Sequence, residues 1–353
     1  MILIMKRITT THKKIGGLYL FLILLNLIVW LIAFIMFRGF PLLIGTSVIA
    51  YSFGLRHAVD ADHIAAIDNV TRKLMQSGDK PVGVGFFFSL GHSSVVILAS
   101  VVIALTATTI QANYPELQYL GSITGTVISA GFLFLIALLN MFILRRVFLT
   151  FKKVKMGGDY DEETLDDILD QRGLLSRIFR PLYKLINRSW HMYPLGFLFG
   201  LGFDTATEIG LLGITAVEAT KGLPVWSIMI FPALFAAGMS LIDTTDGVLM
   251  LAAYGWAYVK PLRKLYYNIT ITSVSVLVAL MVGGIEVFNI IGDKLQLHGW
   301  FWSAIGKLSG DFTVIGYLII GIFVISWLGS TIIYKLQKYD ELENEHRKAS
   351  IHP

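Results

Sequence analysis

Long apolar segments separated by short polar or Pro/Gly-containing breaks dominate the hydrophobic pattern of this chain. An α-helix needs about 20 apolar residues to cross the hydrocarbon core of a bilayer. Eight segments of that kind lie at residues 18–37, 41–66, 82–106, 120–143, 193–217, 226–256, 267–291 and 312–334. The pattern therefore predicts an all-α, polytopic membrane protein with eight transmembrane helices.

Composition agrees with this prediction and excludes several classes of protein. Of the 353 residues, 55% are hydrophobic and 15% are charged, whereas about 25% are charged in a soluble domain. The apolar runs lack the polar–apolar alternation of a transmembrane barrel. An ordinary water-soluble enzyme is excluded. The chain has no cysteine, so disulfides, thiolate metal sites, Fe–S clusters and Cys nucleophiles are excluded as well.

The distribution of basic residues predicts the orientation of the chain in the membrane. Of the 29 lysines and arginines, 24 lie in the termini and in the loops on one side of the predicted spans. Lys and Arg concentrate in cytoplasmic loops, so both termini and the long central loop are predicted to be cytoplasmic, which requires an even number of spans. The net charge of +5 therefore reflects topology in the inner membrane, with the lipid bilayer as partner, and does not indicate nucleic-acid binding.

The central loop divides the chain into two membrane halves, at residues 1–144 and 193–353, joined by a cytoplasmic linker at 145–192. Seven carboxylates lie between Asp159 and Asp170. This acidic run is either a solvated linker or, less in keeping with its lack of histidine, a metal-capturing segment. A Walker-type phosphate-binding motif is absent, and no ATPase subunit is evident as a partner.

Ionisable residues cluster in four of the predicted spans, where each costs about 3 kcal/mol and is a functional candidate. The clusters lie in the second, third, fifth and sixth spans. The resulting candidate metal ligands are His57, Asp60, Asp62, His63, His92, Asp204, Glu208, Asp243 and Asp246. Any one of them alone could be a hydrogen-bonding residue between helices, His92 in particular, but that explanation does not account for the clustering.

Helical geometry leaves two alternatives for the second span. His57, Asp60 and His63 cover an arc of about 120° and can face one cavity, whereas Asp62 points about 100° away from His63. Either the helix is broken or distorted at this point, or Asp62 orients a metal-binding histidine without binding the ion itself.

The other carboxylates form pairs that share a helical face. Asp204 and Glu208 are four residues apart, and Asp243 and Asp246 are three apart. Paired carboxylates in a low-dielectric setting repel each other unless a cation or proton intervenes. Imidazole and carboxylate without thiolate suit borderline ions such as Ni²⁺, Co²⁺ and Zn²⁺. The sequence therefore predicts a pathway for a divalent transition-metal ion.

The four clusters resemble the signature motifs of the nickel/cobalt transporter family. The H-x4-D-H motif of that family reads His57-x4-Asp62-His63 here, within RHAVDADHI. The remaining motifs follow in order as SLGHSSVV (89–96), LGFDTATE (201–208) and GMSLIDTTD (238–246). The resemblance covers nearly the whole chain, with no departure in the four motifs.

This resemblance implies high-affinity uptake of Ni²⁺, Co²⁺ or both across the bacterial cytoplasmic membrane, with the ion as substrate and no cofactor. It implies an essential role for His57, Asp62 and His63. It implies contributions from His92, Asp204, Glu208, Asp243 and Asp246. The membrane potential favours entry of a dication by about 4.6 kcal/mol at 100 mV. Alternatives are an intramembrane metalloenzyme, disfavoured by the absence of an HExxH motif, and a divalent-metal efflux permease.

Short sequence matches further predict an inverted three-helix repeat, in which spans two to four correspond to spans five to seven. Phe53-Gly54-Leu55 matches Phe199-Gly200-Leu201, and this register sets Asp62 opposite Glu208. Gly91-x-Ser93 and Gly238-x-Ser240 recur at nearly the same distance. Since three spans separate the copies, their topology is inverted, as in many transporters that bind the ion at the repeat interface.

Overall fold

The computed structural model of the chain describes residues 2–110, 114–156, 186–201, 206–257, 261–310 and 312–337. Within these ranges all regular secondary structure is helical. The α-helices are α1 (Ile2–Phe37), α2 (Pro41–His57), α3 (Ala61–Gln76), α4 (Val84–Ile110), α5 (Tyr114–Lys155), α6 (Met192–Gly200), α7 (Ala206–Thr220), α8 (Val225–Ile228), α9 (Ile230–Ala257), α10 (Pro261–Lys294), α11 (Trp300–Gly310) and α12 (Phe312–Leu336).

The described helices have the lengths and apolar character of a multi-pass membrane protein. Six stretches are long and apolar enough to cross a bilayer: Thr11–Phe37, Val84–Thr106, Ser129–Lys155, Val225–Tyr254, Leu265–Lys294 and Val314–Tyr334. The bent pair α2 and α3 makes a seventh. The predicted fifth span, 193–217, corresponds to α6 and α7, between which residues 202–205 lie outside the described residues. The predicted fold class is confirmed, and the count is consistent with eight spans.

The second span is broken, as one of the two sequence-based alternatives required. α2 ends at His57 and α3 begins at Ala61, and the two axes differ by 50°. Asp60 precedes α3 in an extended conformation, with φ −65° and ψ 148°. α3 also continues to Gln76, ten residues beyond the predicted end of the span, and Asp68 on this helix is fully buried.

Two helix crossings hold the centre of the fold, and each depends on a glycine. Gly54 in α2 lies against the backbone of Phe235 in α9, and Gly196 in α6 lies against the backbone of Phe88 in α4. A Cβ atom at either glycine would overlap the carbonyl oxygen of the facing phenylalanine. Only glycine allows two helix backbones to approach this closely.

The contacts are reciprocal. Gly238 of α9 faces the carbonyl oxygen of Tyr51 in α2, and Gly91 of α4 faces the carbonyl oxygen of Tyr193 in α6. Both crossings thus combine a Tyr-x-x-Gly segment, at 51–54 or 193–196, with a Phe-x-x-Gly-x-Ser segment, at 88–93 or 235–240. This match in packing supports the predicted repeat.

The register of the repeat differs by one helical turn from the one that the sequence match suggested. The backbone contacts pair Gly54 with Gly196, whereas the Phe-Gly-Leu match pairs Gly54 with Gly200. Gly200 instead lies beneath the carbonyl oxygen of His92. The predicted equivalence of Asp62 and Glu208 therefore requires extra residues at the junction between α6 and α7.

The glycine crossings generate a first prediction. We expect Gly196→Ala to destabilise the protein by about 1–3 kcal/mol, because the new methyl group must displace the α4 backbone. Gly213→Ala is the matched control, since no described atom outside its own helix lies within 4 Å of a Cβ at that position and alanine favours a helix over glycine by about 1 kcal/mol. Thermal unfolding of both variants in detergent checks this. Equal midpoints for Gly196→Ala and the unsubstituted protein would contradict the packing.

Candidate metal site

Three histidines from different parts of the chain meet at the break in the second span. His57 is the last residue of α2, His63 lies in the first turn of α3, and His92 lies in the middle of α4. One ring nitrogen from each lies within 4.8 Å of the others, and all three side chains are buried. Their ring centroids are 4.6 to 4.9 Å apart. This is a group of nitrogen ligands that can converge on one ion.

The closest contact in the cluster joins two potential ligand atoms. The Nε2 atoms of His57 and His92 are 2.9 Å apart. Two nitrogens at this distance either share a proton or bind a common cation, because two unprotonated nitrogens would repel each other. Neighbouring ligands on a transition-metal ion at about 2.0–2.1 Å are themselves about 3 Å apart. The spacing therefore fits joint coordination of one ion.

A carboxylate completes this group from the other half of the chain. Glu208, in the first turn of α7, places Oε1 2.8 Å from Nε2 of His92 and 3.8 Å from Nε2 of His57. Thr207 beside it places Oγ1 3.3 Å from Nδ1 of His57. The site therefore combines imidazoles from the first half with an oxygen ligand from the second half.

Two further carboxylates each contact one of the histidines and orient its ring. Oδ2 of Asp60 lies 3.0 Å from Nδ1 of His57, and Oδ1 of Asp243 in α9 lies 3.3 Å from Nδ1 of His63. Each contact uses the ring nitrogen Nδ1 and so leaves Nε2 of the same histidine available to an ion. Carboxylates that hold metal-binding histidines in this way fix the ring orientation and raise its basicity.

Several polar atoms at the site lack a hydrogen-bond partner among the described residues. They are Nε2 of His63, Nδ1 of His92, Oδ1 of Asp62, Oδ2 of Asp243 and Oδ2 of Asp246. Burying such atoms without a partner costs free energy that hydrogen bonding or a bound ion offsets. A divalent cation would satisfy both the unpaired nitrogen and the nearby carboxylates.

Aromatic rings seal the cluster from water. Phe88 packs edge-on against His63, with ring centroids 4.8 Å apart, and Phe235 lies 5.5 Å from His57. Phe199 packs in turn against Phe88. These phenylalanines belong to the helices that cross at the glycines, so the same packing that holds the fold together also closes the site.

The structure brings together most of the residues predicted from the sequence. The contacting set comprises His57, Asp60, His63, His92, Glu208 and Asp243. Asp62 lies in the same turn as His63, but no direct contact with the ring nitrogens is seen. Asp246 lies one turn beyond Asp243 on α9. Asp204 lies outside the described residues. Sequence reasoning missed Thr207, although it lies within the LGFDTATE motif.

Comparison with known proteins gives a consistent result. Residues 43–333 match the family described as "High-affinity nickel-transport protein". A high-affinity nickel transport protein of Cupriavidus necator is 57% identical over 332 residues, which cover 94% of this chain and 95% of the relative. The nickel transporter NixA of Staphylococcus aureus is 47% identical, with 90% and 93% covered. The cobalt transport protein NhlF of Rhodococcus rhodochrous is 41% identical, with 84% of each covered. No solved structure matches.

The cluster generates a prediction about metal binding by the purified protein. We expect His92→Ala to abolish measurable Ni²⁺ binding, because it removes the ring nitrogen Nε2, which contacts both His57 and Glu208. Asp243→Asn, which alters the carboxylate that contacts His63, should weaken binding by about 10–100-fold. Equilibrium dialysis with ⁶³Ni in detergent measures both.

The matched control for these variants is His298→Ala, which removes an exposed histidine in the turn between α10 and α11. Its affinity for Ni²⁺ should equal that of the unsubstituted protein. Unchanged affinity in His92→Ala would show that the histidine cluster is not the binding site.

Proposed function

Because the chain belongs to the high-affinity nickel-transport protein family, we propose that it is a secondary permease that takes up Ni²⁺, Co²⁺ or both. The observation that carries the proposal is the buried group of three imidazoles and Glu208 at a broken membrane helix. Broken helices of this kind form the ion sites of many transporters. The members of this family are transporters, so the chain is not an enzyme and the metalloenzyme alternative is excluded.

Roles follow from the contacts of each residue. We assign His57, His63, His92 and Glu208 as ion ligands, and Asp60 and Asp243 as the residues that orient His57 and His63. Asp62 and Asp246 supply negative charge beside the ligands. Asp204 is assigned to the same site by its motif alone. The ion is the substrate, so its ligands must release it as well as bind it.

The driving force for uptake is electrical. A dication entering a cell gains about 4.6 kcal/mol at 100 mV, enough for several-thousandfold accumulation without ATP. Inward movement is therefore the favoured direction for a passive route. Nickel and cobalt transporters both occur among the relatives, so the proposal covers both ions.

The topology proposed with this function places the protein in the cell's inner membrane with both termini in the cytoplasm. It rests on the excess of Lys and Arg in the termini and in the loops on one side. The two membrane halves, 1–144 and 193–353, then contribute complementary ligands, and residues 145–192 form the cytoplasmic linker between them.

Accumulation of ⁶³Ni and ⁵⁷Co by cells that express the chain tests the function directly. We expect uptake that an uncoupler abolishes, because collapse of the membrane potential removes the driving force. His57→Ala, Asp62→Ala and His63→Ala should each abolish uptake at unchanged abundance in the membrane.

Two controls separate loss of the site from general damage. Asp166→Ala changes the acidic run of the linker, and His298→Ala changes an exposed histidine; both should leave uptake nearly intact. Normal transport by His57→Ala or His63→Ala would refute the assignment of the site. Metal loss from preloaded cells instead of accumulation would favour efflux.

A further inference from the structure

A second group of buried polar residues, which we call the polar seam, lies between α3, α5, α9 and α10 and outside the histidine site. On α10 its members lie at positions 268, 272 and 275, which form one helical face. The polar seam comprises Asp68, Asn69, Arg72, Asn140, Tyr254, Asn268, Thr272 and Ser275, all of which are buried.

Hydroxyl groups hold the carboxylate of the seam. Asp68 accepts hydrogen bonds from the hydroxyl groups of Tyr254 and Ser275, the latter at 2.6 Å. Its two partners belong to α9 and α10, so this carboxylate links three membrane helices. Both hydrogen-bond donors are uncharged hydroxyl groups, so water molecules can replace them as partners of the carboxylate.

The cation of the seam is Arg72, one turn further along α3. Its guanidinium group donates to Oδ1 of Asn69 at 2.9 Å and to Oγ1 of Thr272 at 3.1 Å. Asn140 of α5 donates to the same oxygen of Asn69 at 2.7 Å. Thr272 donates to Asn268 at 2.9 Å. These hydrogen bonds form one network across α3, α5 and α10, and the bonds of Asp68 form a second network across α3, α9 and α10.

The seam starts next to the histidine site and leads away from it. Asp68 follows His63 by five residues on α3, a rise of about 7.5 Å. Asp246 on α9 lies one turn after Asp243, and its Oδ2 atom is buried without a hydrogen-bond partner among the described residues. Arg72 lies beyond Asp68, toward the end of α3 that carries Lys73 and is cytoplasmic in the proposed topology.

Packing alone explains these residues poorly. A guanidinium and a carboxylate buried within membrane helices cost several kcal/mol, and apolar side chains of similar size would fill the same space without that cost. Ionisable residues inside membrane segments therefore mark ion pathways. Carboxylates lie near the histidine site and a cation lies beyond them. The carboxylates attract a metal ion, and the cation then repels it and blocks its exit.

Resting on the transport function proposed above, we propose that the polar seam is the route by which the ion leaves the histidine site for the cytoplasm. In this structure the hydrogen bonds of Tyr254 to Asp68 and of Arg72 to Thr272 close the route. Release requires α10 to separate from α3, so that water reaches positions 272 and 275 and Arg72 moves away from the path of the ion.

The lack of cysteine in the chain makes water access at single positions measurable. We would label Ser275→Cys and Thr272→Cys with a membrane-impermeant cationic thiol reagent, in inside-out and right-side-out vesicles, with Ni²⁺ present. Ser129→Cys is the matched control: this serine is also buried against α10, but it contacts Glu286 and lies outside the seam.

We expect both seam variants to react at least about tenfold faster than Ser129→Cys in inside-out vesicles, because opening exposes only the seam. The label should also stop nickel transport. Labelling no faster than the control, or labelling from the outer face alone, would overturn the proposal.

The same vesicles distinguish failure of this inference from failure of the transport function. If the unsubstituted protein transports no nickel, the proposed function fails. If it transports nickel and the seam variants remain unlabelled, only the release route fails. Should neither cysteine variant transport nickel, Tyr254→Phe decides, since it removes one closing bond and keeps the ring. Altered transport with unchanged equilibrium binding supports the route, and unchanged transport overturns it.

Discussion

Two imidazoles six residues apart on one membrane segment meet only because the helix breaks between them. On an intact helix, His57 and His63 would be separated by a rise of about 9 Å and would point about 120° apart. In the structure their ring centroids lie 4.6 Å apart. The break also places the negative end of the α2 dipole at the site, which favours a cation, while Asp60 and Asp62 offset the positive end of α3.

Close packing keeps the break in place. Gly316 in α12 lies against the carbonyl oxygen of Val59, within the break itself. Gly54 and Gly196 bring α2 and α6 onto the backbones of α9 and α4, and Gly200 fits beneath His92. The proposed ligands from the two halves, His92 and Glu208, meet across these crossings. The proposed ion site therefore depends on backbone packing, and small residues matter to it as much as the proposed ligands do.

The sequence predicted the all-helical membrane fold and a group of imidazoles and carboxylates inside it, because apolar length and buried charge are local properties. It did not determine which carboxylate serves which histidine: Asp60, not Asp62, contacts His57, since the break changes the direction of each side chain. Nor did it predict the hydrogen bonds of Asp68, because the partners of this carboxylate lie far away in the chain. Tertiary hydrogen bonds to Tyr254 and Ser275 keep that carboxylate inside. The register of the repeat likewise depended on contacts between helices.

X-ray absorption at the nickel edge of the Ni²⁺-loaded protein tests the central claim most directly. A site of His57, His63, His92 and Glu208 predicts a shell of nitrogen and oxygen at about 2.0–2.1 Å, with the outer-shell scattering of three imidazoles and no sulfur. A shell of oxygen alone, without imidazole scattering, would contradict the account.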